Sequence, residues 1–218
     1  AEIENFIDDI KKLNVFFEVT GSGNAPVPEY CPACGGKTEI RQMNDVETLY
    51  CTNSRCSARR IKSFSLFVSR DAMNIEGLSE ATLEKFIAHG YIHTFADIYH
   101  LNHYREEIVS MDGFGEKSYQ NLMESIDRSR KTTLARVIYA LGIPNIGAAN
   151  AKLLCRFFDY DLKRLKEANE EEIASIEGIG DVIAASVVNY FAEEANKAAL
   201  EALLYELDIE KPEENENS

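Results

Sequence analysis

Hydrophobic and polar positions follow two different rhythms along this chain. Between residues 37 and 51, KTEIRQM and VETLYC read as the arms of a short β-hairpin turning at Asn44-Asp45. From about residue 63 to 205 the apolar spacing is helical, interrupted by short glycine-bearing turns. Residues 1–25 read as strand or loop, and 206–218 as an acidic tail. The expected architecture is mainly α, with a small cysteine-bearing β element ahead of an all-α domain and a short β remnant at the N-terminus.

The turns of the helical region resemble one another. They read NIEGLSEATLEKFI, SMDGFGEKSYQNLM, GIPNIGAANAKLLC and SIEGIGDVIAASVV, and their central triplets recur at intervals of 36, 32 and 33 residues. The triplets are Gly77-Leu78-Ser79, Gly113-Phe114-Gly115, Asn145-Ile146-Gly147 and Gly178-Ile179-Gly180. An apolar residue stands two before each (Ile75, Met111, Ile143, Ile176), and another residue of the following helix comes four after (Leu83, Tyr119, Ala151, Ala184). This predicts a helix, a tight hairpin plugged by its central apolar residue, and a second helix, repeated four times.

Such a hairpin exposes backbone N–H groups at the start of the second helix, where the positive end of the helix dipole also lies. That combination holds a phosphate oxygen without side-chain charge. Glycines acting only as C-caps would explain one small residue per turn, not two flanking an apolar one. GFGEKS lacks the glycine before Lys117 that a Walker A loop requires, and GIGDVI has Ile183 where a dinucleotide fingerprint needs glycine.

Cysteine is sparse and grouped. Two residues lie between Cys31 and Cys34, four between Cys51 and Cys56, and sixteen between the pairs. Two such pairs can surround one tetrahedral Zn²⁺. A redox site would need one pair within a βαβ pattern, and a secreted disulfide framework would carry more cysteines after a signal peptide. An iron–sulfur cluster is chemically open, but the two-knuckle spacing favours zinc. With all four positions filled by protein, the ion is a structural staple. Gly35-Gly36 supply the left-handed backbone that the first knuckle needs. Cys155, in AKLLCRFF, reads as a buried thiol, and His89, His93, His100 and His103 as solvated loop histidines.

Charge sharpens the picture. The 218 residues carry a formal net charge of −14, which speaks against a generic polyanion binder. It is unevenly spread, however: residues 37–70 hold seven basic residues against three acidic ones, whereas 201–218 hold seven acidic residues and one lysine. Gripping phosphates through main-chain amides would let an acidic protein bind DNA. Arg59, Arg60 and Lys117 are candidate supplements, with Lys131 and Arg136 behind them. No apolar run approaches the ~18 residues of a membrane span, and AEIENFIDD lacks the basic start of a signal peptide.

The motifs CPACG, YCTNSRCSAR, FVSRDAMNIEGL, GFGEKSYQNL, YALGIPNIG and IEGIGDVIAASV, in this order, resemble the C-terminal half of bacterial NAD-dependent DNA ligases. The resemblance implies the end of an oligonucleotide-binding barrel at 1–25, a four-cysteine zinc finger at 26–62, four helix-hairpin-helix units at 63–205, and a linker at 206–218. It implies zinc held by Cys31, Cys34, Cys51 and Cys56. Nicked duplex DNA would be held at Gly77, Ser79, Gly113, Gly115, Lys117, Gly147, Gly178, Gly180, Arg59 and Arg60. NAD would act only at an adenylation domain bearing a KxDG motif, a motif this chain does not contain. The resemblance further implies a cytoplasmic, nucleoid-associated monomer that works with the adenylation and barrel domains of its own protein in replication and repair. The other readings are a stand-alone DNA-binding module that recruits a repair partner and a zinc-stapled adaptor without a nucleic-acid role. Ser79 and Asn145 depart from the commonest hairpin residues, and Pro144 removes one donor from the third hairpin.

Overall fold

The computed structural model describes residues 27–43, 46–53 and 56–211. The β remnant expected at 1–25 lies outside them. Two compact units emerge, residues 1–62 and 63–218.

In the first unit, strands β1 (Thr38–Met43) and β2 (Val46–Cys51) pair antiparallel with Thr38 opposite Cys51 and Met43 opposite Val46. Ahead of them, Tyr30 bridges Lys37. Helix α1 (Ser57–Val68) begins directly after Cys56, and the Arg60 amide donates to the Cys56 carbonyl at 3.0 Å. Among the described residues of this unit apolar burial is slight. Only Cys31, Cys56 and Ile61 among them are buried, while Val27, Tyr30, Ile40 and Tyr50 are exposed. A cysteine-bearing hairpin segment whose described side chains bury so little gains little from apolar contact, and a cross-link would offset the entropy of ordering it.

The second unit is helical: α2 (Glu80–Ala88), a 3₁₀ segment (Phe95–Tyr104), α3 (Arg105–Ser110), α4 (Glu116–Ser129), α5 (Leu134–Ala140), α6 (Ala148–Phe157), α7 (Leu162–Glu167), α8 (Glu170–Ala174), α9 (Asp181–Ala192) and α10 (Glu194–Tyr205). The apolar spacing dictates which faces are covered. In α4, Tyr119, Leu122, Ser125, Ile126 and Ser129 fall on one stripe and are buried, with charged residues opposite. Leu83, Phe86, Ile98, Leu101, Leu122, Ile138, Leu154 and Leu165 are sealed from solvent, each such burial worth about 1.5–3 kcal/mol.

Two further strands close this unit. β3 (Lys131–Thr133) and β4 (Asp208–Glu210) run parallel, Lys131 opposite Asp208 and Thr133 opposite Glu210. The folded region therefore runs past residue 205, where the sequence suggests a tail. The reason is pairing: a three-residue strand too short to show a pattern of its own finds a partner more than seventy residues earlier in the chain.

The hairpins pack in two reciprocal pairs. In the first, the Glu76 amide donates to the buried Ser125 hydroxyl of α4 at 2.8 Å, and Lys85 of α2 donates to the Asp112 carbonyl at 3.2 Å. In the second, Asn145 Nδ2 donates to Ser186 Oγ of α9 at 3.0 Å, while Gly178 faces Leu153 of α6. Each hairpin is thus held by the helix of its neighbour.

Candidate nucleic-acid interface and metal centre

All four turns reach one backbone solution. The leading triplet residue is left-handed in each, with φ of 92° at Gly77, 84° at Gly113, 67° at Asn145 and 89° at Gly178. In the last three, a turn bond closes across it: Phe114 N to Met111 O at 3.0 Å, Ile146 N to Ile143 O at 3.1 Å, and Ile179 N to Ile176 O at 2.9 Å. This is a type II β-turn arrangement, which demands positive φ at its third position. Asn145 tolerates that conformation because its side chain is anchored on Ser186. Pro144 occupies the second position, which proline favours, so its missing N–H removes nothing from the helix start. The central residues Leu78, Ile146 and Ile179 are buried, and Phe114 is half-buried.

The last triplet residues, Ser79, Gly115, Gly147 and Gly180, are the N-caps of α2, α4, α6 and α9. Each carbonyl accepts the first helical bond, at 2.8–3.0 Å, from Leu83, Tyr119, Ala151 and Ala184 respectively. Ahead of those bonds, the amides of Gly115, Glu116, Lys117 and Ser118 donate to no acceptor among the described residues. The same is true of Gly147, Ala148, Ala149 and Asn150, and of Gly180, Asp181 and Val182. The first hairpin differs, because the Ser79 hydroxyl takes the Thr82 amide at 3.2 Å and Ser125 takes the Glu76 amide. Gly77, Ser79, Gly113, Gly147, Gly178 and Gly180 are exposed.

Electrostatics separates the turns further. Carboxylates stand on both sides of three of them: Glu76 and Glu80, Asp112 and Glu116, Glu177 and Asp181. The third has Pro144 and Ala148 there, so no flanking carboxylate competes with an incoming anion. At the second turn, Arg105 holds Glu116 at 2.6 Å and Lys117 stands exposed on the next residue. A cleft runs between the first two hairpins, lined by Gly77, Thr82, Gly113, Phe114, Ser118 and Asn121 among others.

Several cations expected at the surface are engaged with protein. Arg136 donates to the carbonyls of Ala72 at 2.7 Å and Arg70 at 2.5 Å, and Lys131 pairs with Glu210 at 3.2 Å. Arg136 thus works in the fold, whereas the Lys131 pair is exposed on both sides. Arg59 is exposed and Arg60 half-buried on the first turn of α1.

In the first unit, the sulfur atoms of Cys31, Cys34, Cys51 and Cys56 lie within 4.8 Å of one another, so the cluster could hold a metal ion. Cys31 and Cys56 are 3.8 Å apart, and Cys34 and Cys51 3.4 Å. Four sulfurs each about 2.3 Å from one tetrahedral ion stand about 3.8 Å from each other, so the observed spacing fits. The first knuckle is tied by Gly35 N to Cys31 O at 2.6 Å and Cys31 N to Gly36 O at 2.7 Å, with the Gly36 amide on Cys34 Sγ at 3.4 Å. The two glycines have separate roles. Gly35 is left-handed (φ 68°), but Gly36 is not, and is needed for space: a Cβ there would lie 2.8 Å from Asn53 Cβ and 3.3 Å from Cys34 Sγ.

As thiols these groups are unequal. The Gly36 amide, then Asn53, draws the Cys34 thiol down to about 6, while burial pushes Cys51 up to about 12 and raises Cys56. A bound cation would supply the countercharge that lets all four ionise. Cys155 is fully buried and its thiol pushed up to about 12 by that burial, which removes it as a nucleophile.

Residues 69–128 match the SAM-like helix-hairpin-helix tandem family, and residues 136–200 the helix-hairpin-helix motif family. A DNA ligase of Ruminiclostridium cellulolyticum is 52% identical over 193 residues, 88% of this chain and 29% of the relative. One of Lachnoclostridium phytofermentans is 53% identical over 195 residues, 89% and 30% respectively. One of Spiroplasma citri is 41% identical over 174 residues, 80% and 26%. The chain thus spans less than a third of the length of these relatives. Among the described residues, no helix is long and apolar enough to cross a membrane.

Proposed function

We infer that this chain, a homologue of one segment of the DNA ligases, is the DNA-gripping C-terminal portion of an NAD-dependent DNA ligase. Its hairpins hold backbone phosphates on either side of a nick, while an adenylation domain elsewhere in the longer protein takes the adenylyl group from NAD and seals the strand. The observation that carries this reading is the set of open main-chain amides at the starts of α4, α6 and α9. Each set sits at the positive end of a helix dipole and behind an N-cap glycine too small to block a phosphate. Neutral donors also reconcile a net charge of −14 with a polyanionic partner.

Zinc is the ion we assign to Cys31, Cys34, Cys51 and Cys56. Four protein thiolates leave it no open position, so its part is to hold together the hairpin and knuckles around it, whose described residues bury little apolar surface.

Two measurements test the reading. The chain should bind nicked duplex DNA with an affinity that falls as salt rises. Added in trans to the adenylation and barrel domains of its own protein, it should restore nick sealing. Binding without restoration would point instead to a separate module that recruits a repair partner.

A further inference from the structure

The two hairpin pairs are joined along the chain by residues 130–133 alone, yet one arginine inside that joint and one just after it reach across between them. Arg130, at the end of the first pair, donates through Nη1 to the Glu206 carbonyl at 3.0 Å and to Glu206 Oε2 at 2.8 Å, and through Nη2 to the Tyr99 carbonyl at 3.3 Å. Its guanidinium lies 5.0 Å from the centre of the Tyr99 ring. His100 Nε2 approaches the other Glu206 oxygen at 2.6 Å, so both carboxylate oxygens are held from the first pair. The Asp208 amide then donates to the Arg130 carbonyl at 2.7 Å, which starts the β3–β4 register. From the second pair, Arg136 reaches back to the Arg70 and Ala72 carbonyls, just ahead of the first hairpin.

We propose that this double clasp fixes the spacing between the first two hairpins and the last two, so that both pairs meet duplex phosphates at once. Arg130 and Glu206 are then positioning residues for the DNA grip, acting through the hairpins rather than by touching DNA. The proposal rests on the DNA reading above. Its physical content is preorganisation: when each hairpin contributes little, affinity depends on the second pair finding its phosphates as an intramolecular event. A guanidinium fork on a carboxylate and two carbonyls is directional, and the Glu206 side chain is only 11% exposed, so the contact sets an angle as well as lending stability. An exposed ion pair would do neither.

The test combines two readouts on the whole chain. Spin labels carried on unnatural amino acids at Gln120 and Asn189, exposed positions on α4 and α9, report the distance between the pairs without DNA. Titration with a nicked duplex across a salt series reports the grip. In Arg130→Ala the distance distribution should broaden and affinity should fall roughly tenfold or more, with the salt slope unchanged because no phosphate-facing cation is lost. Arg130→Lys keeps the charge but not the fork and should fall between. If Arg130→Ala does not fold, Glu206→Gln, which keeps shape and an acceptor, carries the same two readouts. Folded variants with the wild-type distance distribution, or with a broadened one and wild-type affinity, overturn the proposal. Failure of the wild-type chain to bind nicked duplex would instead sink the DNA reading on which it stands.

Discussion

The Ala151 amide donates to the Gly147 carbonyl at 3.0 Å, closing the first turn of α6 and leaving the amides from Gly147 to Asn150 with no acceptor among the described residues. The same bond recurs between Tyr119 and Gly115 and between Ala184 and Gly180. A small N-cap residue, a left-handed residue two before it and an apolar plug between them, buried in two cases and half-buried at Phe114, recur at three places in one unit.

Positive φ can be separated from access to ligand. Gly113 has open space around it but φ of 84°, so Gly113→Ala should cost about 1–2 kcal/mol of stability through backbone strain alone. Gly115 has ordinary extended backbone and equally open space, so Gly115→Ala should cost at most about 1 kcal/mol as a weakened cap. Thermal denaturation of the two variants checks the order.

In the metal unit, the adjacent glycines should behave differently. Gly36→Ala forces a Cβ against Asn53 and the Cys34 sulfur and should lower zinc uptake sharply. Gly35→Ala meets no atom within 4 Å and should cost only the left-handed strain, about 1–2 kcal/mol. Zinc content after dialysis against a chelator of graded strength distinguishes them, and equal losses would contradict the assignment.

Zinc removal should unfold the region around the cysteines while sparing the helical unit, whose core is its own. One equivalent of zinc per chain, lost on chelation together with amide-exchange protection at residues 31–56 but not at α4 or α6, is the expected result. Unchanged protection at Cys31 and Cys56 after full chelation would show that the cluster is not a staple.

Acid should loosen the clasp. Burial works against ionisation of Glu206, but hydrogen bonds from Arg130 and His100 outweigh it and hold its carboxyl below the ordinary range. A carboxylate depressed in the folded state stabilises fully above its unfolded value, about 4.3, and loses that contribution as pH falls through the folded value. The melting difference between wild type and Glu206→Gln should therefore be present at neutral pH and shrink in acid. A gap independent of pH would contradict this.

Much of the site was legible in the residues because it rests on local rules. Left-handed turns call for glycine or asparagine, N-caps tolerate small residues, and paired cysteines at metal spacing gather in one cluster. What escaped depends on partners distant in the chain. Arg136 looks like a surface cation until its acceptors, the Ala72 and Arg70 carbonyls, are placed beside it. Strands of three residues show no alternation worth reading, so KTT and DIE became visible only as a pair. The first hairpin matches the repeat as well as the others do, yet two of its amides are taken by Ser79 and Ser125, and the second of these lies far along the chain.

The most direct test is DNA affinity of Gly147→Val and Gly180→Val, measured across a salt series with nicked duplex. Both positions have extended backbone and no atom within 4 Å of an added Cβ, so helical content should hold while the branched side chain covers the amides. Affinity should drop about tenfold or more in each with the slope against log salt unchanged, because the lost donors carry no charge, whereas Lys117→Ala should lower the slope by about 1. Folded glycine variants that bind as tightly as the wild type would contradict the claim that main-chain amides hold the phosphates.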